Sequence, residues 1–382
     1  VVGLTPVAEA SPPGAALAAE AFAAAGGWPG VLARLLAGED LSPQVAAGAL
    51  GQVLAGEATP AQVAGFVVAL RAKGESVGEM SGMVQAMLDH AEPLPLAGDL
   101  EVVDTCGTGG DRSASINVST MAALVVAAAG VPVCKHGGRA ASSAAGSADV
   151  LEALGVCIDL GPRGVARCVA EVGMGFCFAP RFHPAMRHAG PVRRELGVPT
   201  VFNFLGPLAN PARVRRQVVG VSDPAMAATM LGVLVANGAR RAMVVHGADG
   251  LDELSTTGPS EVLLYDEAVD GRPNADQLAA WEPRRVTVDP AAIGLASATV
   301  ADLRGGDPAA NADMVRRVLG GERGPRRDIV LLNAAAGLVV ADAASDLEAG
   351  VAAAAAAVDD GRAERLLNHL VEVSQDARAE GC

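Results

Sequence analysis

Aromatic residues make up only 3% of the 382-residue chain, with one Tyr and two Trp. Surfaces that stack bases or sugars on ring faces need more, so an aromatic-lined platform is excluded as the organising feature. Positive charge is scarce as well: 29 Lys and Arg stand against 43 Asp and Glu, a net charge of −14. That balance argues against a general nucleic-acid surface, although backbone donors can still dominate the field inside one cleft. Cysteine is sparse and scattered; Cys106, Cys134, Cys157, Cys168, Cys177 and Cys382 form no C-x-x-C pair. They read as reduced core or cleft residues rather than a disulfide scaffold. No charged stretch leads into an apolar signal core, and no uninterrupted apolar run reads as a membrane span, so a cytoplasmic location is expected. The alanine-rich 351–357 run is short and enters an acidic segment, which reads as a packed helix.

Length and a 51% hydrophobic composition suit two domains with substantial cores. Residues 1–27 read as a variable N-terminal extension. From Trp28 to about 95 the pattern turns helical: Ser42-Pro43 and Thr59-Pro60 each place a capping hydroxyl before a proline suited to the first helical position. Val63, Phe66, Val67 and Leu70 then recur at helical spacing. Short apolar runs at 101–103, 131–134, 175–179, 241–245 and 261–265 alternate with helical segments at 119–129, 145–154, 164–171 and 222–237. Such alternation predicts a large α/β domain, an open mixed sheet flanked by helices, over about 100–183 and 213–376. The segment 184–212 alternates less and is expected to return to the small all-helical domain, making it discontinuous and leaving a cleft between lobes.

The most informative stretch is DTCGTGGDRSASINVST at 104–120, between an apolar run and a small apolar helix. Gly107, Gly109 and Gly110 permit close approach and positive φ, and the following helix start adds backbone donors and a favourable dipole. The spacing is neither that of a P-loop nor G-x-G-x-x-G. A plain structural turn competes with a phosphate loop; the strand-to-helix setting and Asn117, Ser119 and Thr120 favour the latter. Beyond the next apolar run, Lys135 and Arg139 are candidates to neutralise phosphate, His136 to orient a polar group, and Ser142, Ser143 and Ser147 to donate hydroxyls. Asp252 and Glu253 follow another strand-like run. Adjacent carboxylates are usually solvated charge, but in an α/β cleft beside polyphosphate they are hard ligands for Mg²⁺. Phe182, His183 and Pro184, with Arg193 and Arg194, lie at the expected lobe boundary; packing and wet-surface roles compete there with recognition of a carboxylate by Arg193.

DTCGTGGD at 104–111, NVST at 117–120, KHGGR at 135–139 and LDELS at 251–255, with GSADVLEALG and FHPAMRHAGPVRRELGVPTVFNFLGPLANP, together resemble the anthranilate phosphoribosyltransferase family of tryptophan biosynthesis. The wider fold family includes pyrimidine nucleoside phosphorylases. The resemblance implies Mg²⁺-dependent transfer from 5-phospho-α-D-ribose 1-diphosphate (PRPP) to anthranilate. By carry-over, Gly107, Thr108, Gly109, Gly110, Asp111, Ser115, Asn117, Ser119, Thr120, Lys135 and Ser147 would form the PRPP site. Ser119, Asp252 and Glu253 would hold magnesium, two ions in the PRPP complex. Gly107, His136, Gly138, His183 and Arg193 would lie near anthranilate. His136 and Lys135 would support catalysis by positioning and electrostatics, without a dedicated nucleophile or base. A homodimer through the helical domain is implied too, with no nucleic-acid or membrane partner. Where the family has KHGNR, Gly138 removes an amide near the aromatic acceptor. A nucleoside phosphorylase and a noncatalytic sensor of a phosphorylated metabolite are the alternatives.

Overall fold

The structure, a computed structural model, describes residues 13–98, 100–111, 113–140, 144–274, 277–278 and 281–382. It divides into two units. One runs to His90 and takes up Ala185–Val201; the other comprises Ala91–Pro184 and Phe202–Cys382. The returning segment is therefore shorter than 184–212. Helix Phe202–Leu208 buries Phe202, Phe204 and Leu205 within the α/β unit, so its apolar face decides where it belongs.

The helical unit contains α1 (Pro13–Ala24), α2 (Gly27–Leu36), α3 (Pro43–Leu54), α4 (Pro60–Lys73) and α5 (Val77–Asp89). Helix α1 thus occupies part of the stretch read as an N-terminal extension; its alanine-rich sequence carries little amphipathic signal because small residues serve several contacts at once. The Ser42 hydroxyl accepts from Val45 N–H, and Thr59 with Gln62 closes a capping box. Both caps satisfy helix-end donors that would otherwise lack partners. Edge-on contacts of Trp28 with Phe22 and Phe66 fill the centre, at 5.4 and 5.7 Å between ring centroids. Two glycines set the helix spacing. A Cβ on Gly48 would lie 2.2 Å from the Ala18 carbonyl oxygen, and one on Gly82 1.9 Å from that of Pro43.

In the α/β unit, strands β1 (Val103–Gly107), β2 (Val133–Gly137), β3 (Met174–Phe178), β4 (Arg216–Gly220), β5 (Arg241–Gly247), β6 (Ser260–Asp266) and β7 (Arg284–Val288) form one sheet. Its order is β3-β2-β1-β4-β5-β6-β7. The strands from β3 to β5 run parallel, and β6 and β7 are antiparallel additions. Strands β1 and β2 begin two residues later than their apolar runs and continue through Asp104-Thr105-Cys106-Gly107 and Cys134-Lys135-His136-Gly137. Pairing on both sides satisfies the backbone there, so polar side chains do not end the strands. Strands β4 and β7 carry arginines, and no apolar run announced them. Helix α6 (Val118–Ala128) is buried along nearly its whole length because the sheet and the helices Pro325–Val340 and Arg362–Ala379 surround it. The alanine-rich 351–357 run lies in helix Leu347–Asp359.

Strand β1 has β2 on one side and β4 on the other, so the chain reverses its direction across the sheet at β1. In open α/β sheets, ligands bind outside the carboxyl ends of strands at such a point.

Replacing Gly48 by Ala forces α1 and α3 apart, which is expected to destabilise the helical unit by about 1–3 kcal/mol. A thermal unfolding midpoint equal to that of the unsubstituted protein would contradict backbone contact at this position.

Candidate functional site

A cavity of ≈ 340 Å³ opens at the carboxyl ends of β1 and β2, wholly within the α/β unit. It brings together Gly107, Thr108, Gly109, Gly110, Asp111, Ser115, Asn117, Ser119, Thr120, Lys135, His136, Gly138, Ser147, Asp252 and Glu253. Asn203, inside the longest string quoted from the sequence but given no role there, also lines it. Ser142 and Ser143 lie outside the described residues. Arg193 sits on helix Gly190–Leu196 of the helical unit, and burial lowers its pKa.

The loop from β1 to α6 is fixed at several points. Gly109 and Gly110 adopt φ of +66° and +82°, conformations that suit glycine. Thr108 N–H donates to the Gly220 carbonyl (2.9 Å), and the Ser222 hydroxyl donates to the Gly109 carbonyl (2.8 Å). Asp111 accepts from the Ser113 hydroxyl at 2.6 Å. Asn117 caps α6 by position only, for its side chain makes no capping bond. Its amide instead donates to the Ala145 carbonyl (3.0 Å) and accepts from Asn311 (2.8 Å).

Asp252 and Glu253 approach this loop because two glycines make room. A Cβ on Gly107 would lie 2.2 Å from Asp252 Oδ2, and one on Gly220 only 1.6 Å from the Asp252 carbonyl oxygen. These glycines face each other across the paired ends of β1 and β4. Gly109 N–H donates to Asp252 Oδ2 (2.7 Å), and Ser119 N–H, in the first turn of α6, donates to Glu253 Oε1 (3.0 Å). Burial pushes the Asp252 carboxyl up to about 6, with the nearby Asp111 carboxylate adding to the push. Burial and then Asp252 itself raise Glu253 as well. Lys135, 2% exposed, opposes both shifts. Its ammonium donates to the Thr105 carbonyl and to Ser119 Oγ.

Among the described residues no group of three or more His, Cys, Asp or Glu forms a ready-made metal cage. Magnesium does not need one, since it commonly takes one or two carboxylates plus substrate phosphates. Crowded, half-buried carboxylates, with Ser119 in contact with Glu253, supply hard oxygens whose mutual repulsion a divalent cation would relieve. These residues fit the ion.

The two histidines are held from helix Phe202–Leu208 and the turn after it. His136 Nδ1–H donates to the Gly206 carbonyl (3.1 Å), an assignment that follows because a carbonyl only accepts. Its Nε2 therefore carries the lone pair, and this buried atom has no hydrogen-bond partner among the described residues. Burial, with His183 adding to it, takes the ring down to about 3. His183 does not line the cavity, but its ring centroid is 5.1 Å from that of His136, and its Nε2–H donates to the Ala209 carbonyl (2.9 Å). Arg139 lines the cavity, and its guanidinium pairs with Asp149 and Glu152, each at 2.8 Å, so carboxylates counter part of its charge. Phe182 is a core residue. At Gly138 an added Cβ would meet no atom within 4 Å.

Beneath the cavity floor lies Asp104, part of the opening motif but assigned no role from sequence. It is fully buried and accepts from Asn210 Nδ2 (2.8 Å), His136 N–H (3.4 Å) and Gln217 Nε2 (3.4 Å). Burial pushes its carboxyl up to about 6, against the pull of Lys135. No sequence spacing announced the partners Asn210 and Gln217, because β4 and the turn before it meet β1 only in the fold.

Comparison with known proteins follows the same lines. The sequence model described as "Glycosyl transferase family, a/b domain" matches residues 99–364, and "Glycosyl transferase family, helical bundle domain" matches residues 29–91. By fold and site the chain is a glycosyl transferase of this two-domain class. An anthranilate phosphoribosyltransferase of Salinispora arenicola is 53% identical over 358 residues, covering 92% of this chain and 98% of the relative. That of Saccharopolyspora erythraea is 51% identical over 361 residues, covering 93% and 98%. The crystal structure of the Thermus thermophilus enzyme aligns with a TM-score of 0.82 and 42% identity, over 90% of this chain and 99% of that one. The Saccharomyces cerevisiae enzyme in complex with PRPP and Mg aligns at 0.80 and 26% identity, over 91% and 98%. The chain belongs to the anthranilate phosphoribosyltransferase family.

The buried Asp104 carboxyl yields a pH prediction. Its folded pKa lies above the ordinary 3.8, so the stability it contributes is fully present below pH 3.8 and is lost as pH rises through about 6. Between pH 4 and 7 the unsubstituted protein should therefore lose up to about 3 kcal/mol relative to Asp104→Asn. Denaturant titrations at several pH values measure this; a constant difference between the two proteins would contradict the buried, partly protonated carboxyl.

Proposed function

We propose that the chain transfers the 5-phosphoribosyl group of PRPP to the amine of anthranilate, releasing pyrophosphate, as a step of tryptophan biosynthesis. The observation that carries this function is the pairing of opposite groups in one cavity: backbone donors of a glycine loop and a helix start, met by two half-buried carboxylates. Gly109 and Ser119 N–H already face anionic oxygens, those of Asp252 and Glu253. Phosphate oxygens of PRPP suit the same donors.

In this assignment Gly107 to Asp111, Ser115, Asn117, Ser119, Thr120, Lys135 and Ser147 serve PRPP. Asp252, Glu253 and Ser119 hold magnesium, two ions accompanying PRPP. When bound, the metal offsets negative charge on the departing pyrophosphate. Lys135 adds a fixed positive charge in a poorly hydrated setting, where it counts for more than in water. Gly107, His136, Gly138, His183 and Arg193 are assigned to anthranilate. The His136 lone pair can accept from the acceptor's amine, and the planar guanidinium of Arg193 suits its carboxylate. An aromatic amine is already neutral near pH 7, so no protein base has to act before attack. The amine takes ribose C1 from the face opposite pyrophosphate, and the enzyme's contribution is positioning and charge stabilisation.

A homodimer through the helical unit belongs to the same proposal. Support comes from a groove of ≈ 360 Å³ on α1, α3 and α5, lined by small residues such as Ala15, Ala19, Ala47 and Gly51. Small side chains let a second copy's helices approach closely. Sedimentation is expected to show a dimer that Ala47→Glu dissociates; a monomeric unsubstituted protein would count against it.

Incubation with PRPP, Mg²⁺ and anthranilate should release pyrophosphate and ribosylated anthranilate in equal amounts. Phosphorolysis of a pyrimidine nucleoside, or PRPP binding without any product, would favour the phosphorylase and sensor alternatives. Arg193→Ala should raise the KM for anthranilate by about tenfold or more while leaving that for PRPP within about twofold. Equal rises in both would remove Arg193 from carboxylate recognition.

A further inference from the structure

Asn311 belongs to none of the motifs that mark the site, yet it is 2% exposed and its side chain reaches the phosphate loop. It lies in the first turn of helix Pro308–Leu319, which Asp307 caps through Ala310 N–H (2.8 Å). Gly306 N–H donates to Asn311 Oδ1 (2.7 Å), and Asn311 Nδ2 donates to Asn117 Oδ1 (2.8 Å). Asn117 Nδ2 then donates to the Ala145 carbonyl (3.0 Å). A backbone N–H starts this relay and a backbone carbonyl ends it. Both carboxamides are therefore oriented unambiguously, because reversing either would oppose two donors or two acceptors.

The neighbouring chain joins in. Ile116 N–H donates to the Leu303 carbonyl (2.9 Å), Gly305 N–H donates to that of Ala114 (2.8 Å), and Ser115 bridges to Arg304. Approach is close enough that a Cβ on Gly305 would lie 2.8 Å from the Ser115 carbonyl oxygen and 2.9 Å from Asn311 Oδ1.

Asn ranks among the best helix N-caps, because its side-chain oxygen reaches the second or third N–H of the helix. At the start of α6 that preference is overridden, and the Asn117 side chain makes no capping bond. We propose that Asn311 is a positioning residue for PRPP: with Val118 N–H on the Ile116 carbonyl and Ser119 N–H on Glu253 Oε1, it holds the Asn117 carboxamide off the remaining first-turn donor, Thr120 N–H, which then serves a phosphate oxygen. Through Ala145 the same relay ties the phosphate loop to the approach to Ser147. Released from Asn311, Asn117 swings onto the helix start and competes with the substrate.

This rests on the function proposed above, and the experiment separates the two. Asn311→Asp keeps the acceptor for Gly306 N–H but removes the donor to Asn117. The KM for PRPP is expected to rise about tenfold, the effect of losing one well-made buried bond. The KM for anthranilate should stay within about twofold, since a site-directed effect on one substrate spares the other. In an Asn117→Ala background the substitution should change the PRPP KM by less than about twofold, because the side chain it controls is gone. Asn311→Ser, which shortens the reach without adding charge, carries the same expectation and serves if the buried carboxylate prevents folding. Equal rises in both KM values, or a full additional loss in the Asn117→Ala background, would reduce Asn311 to a structural residue. If the unsubstituted protein makes no ribosylated anthranilate, the parent function fails; if it turns over and both Asn311 variants match it, this inference alone fails.

Discussion

The site depends on the closeness with which the Asp252-Glu253 segment lies over the ends of β1 and β4. Only glycine at 107 and 220 permits that approach, because any Cβ at either position would overlap Asp252. The contact holds two half-buried carboxylates against the backbone donors of the phosphate loop. Both carboxyls are then pushed upward by burial, and Lys135 offsets part of the strain from below. A cation and a polyanionic substrate arriving together can satisfy the carboxylates and the loop donors at once, which neither could do alone.

Beneath that contact, the cavity floor is a network of buried polar groups in which little is left to choice. Asp104 gathers Asn210, Gln217 and the backbone of β2; His136 is fixed in one tautomer by Gly206. Such networks are costly when half-satisfied and orient their members when complete. The unpartnered Nε2 of His136 is the exception in this network among the described residues.

Much of this was legible in the sequence, for identifiable reasons. Glycines at 107, 109 and 110, followed by an apolar helix, announced a loop of backbone donors, and Ser42 and Thr59 announced helix starts that the structure shows. Adjacent carboxylates at 252 and 253 stood out only in company with that loop, and the structure brings both against its backbone donors. What stayed hidden arises from pairing distant in sequence. Helix α1 had no amphipathic stripe to display, β4 and β7 open with arginines, and Asn311 meets Asn117 across 194 positions. Arg139 reaches the cavity as the glycine turn suggested, and its pairing with Asp149 and Glu152 shows only in the fold.

The most direct measurement is a crystal structure of the chain with PRPP and Mn²⁺, the metal located by its anomalous signal. The account predicts manganese about 2.1 Å from carboxylate oxygens of Asp252 or Glu253, with phosphate oxygens on the backbone N–H groups of Gly107 to Asp111. Phosphates bound away from that loop, with no metal near either carboxylate, would contradict it.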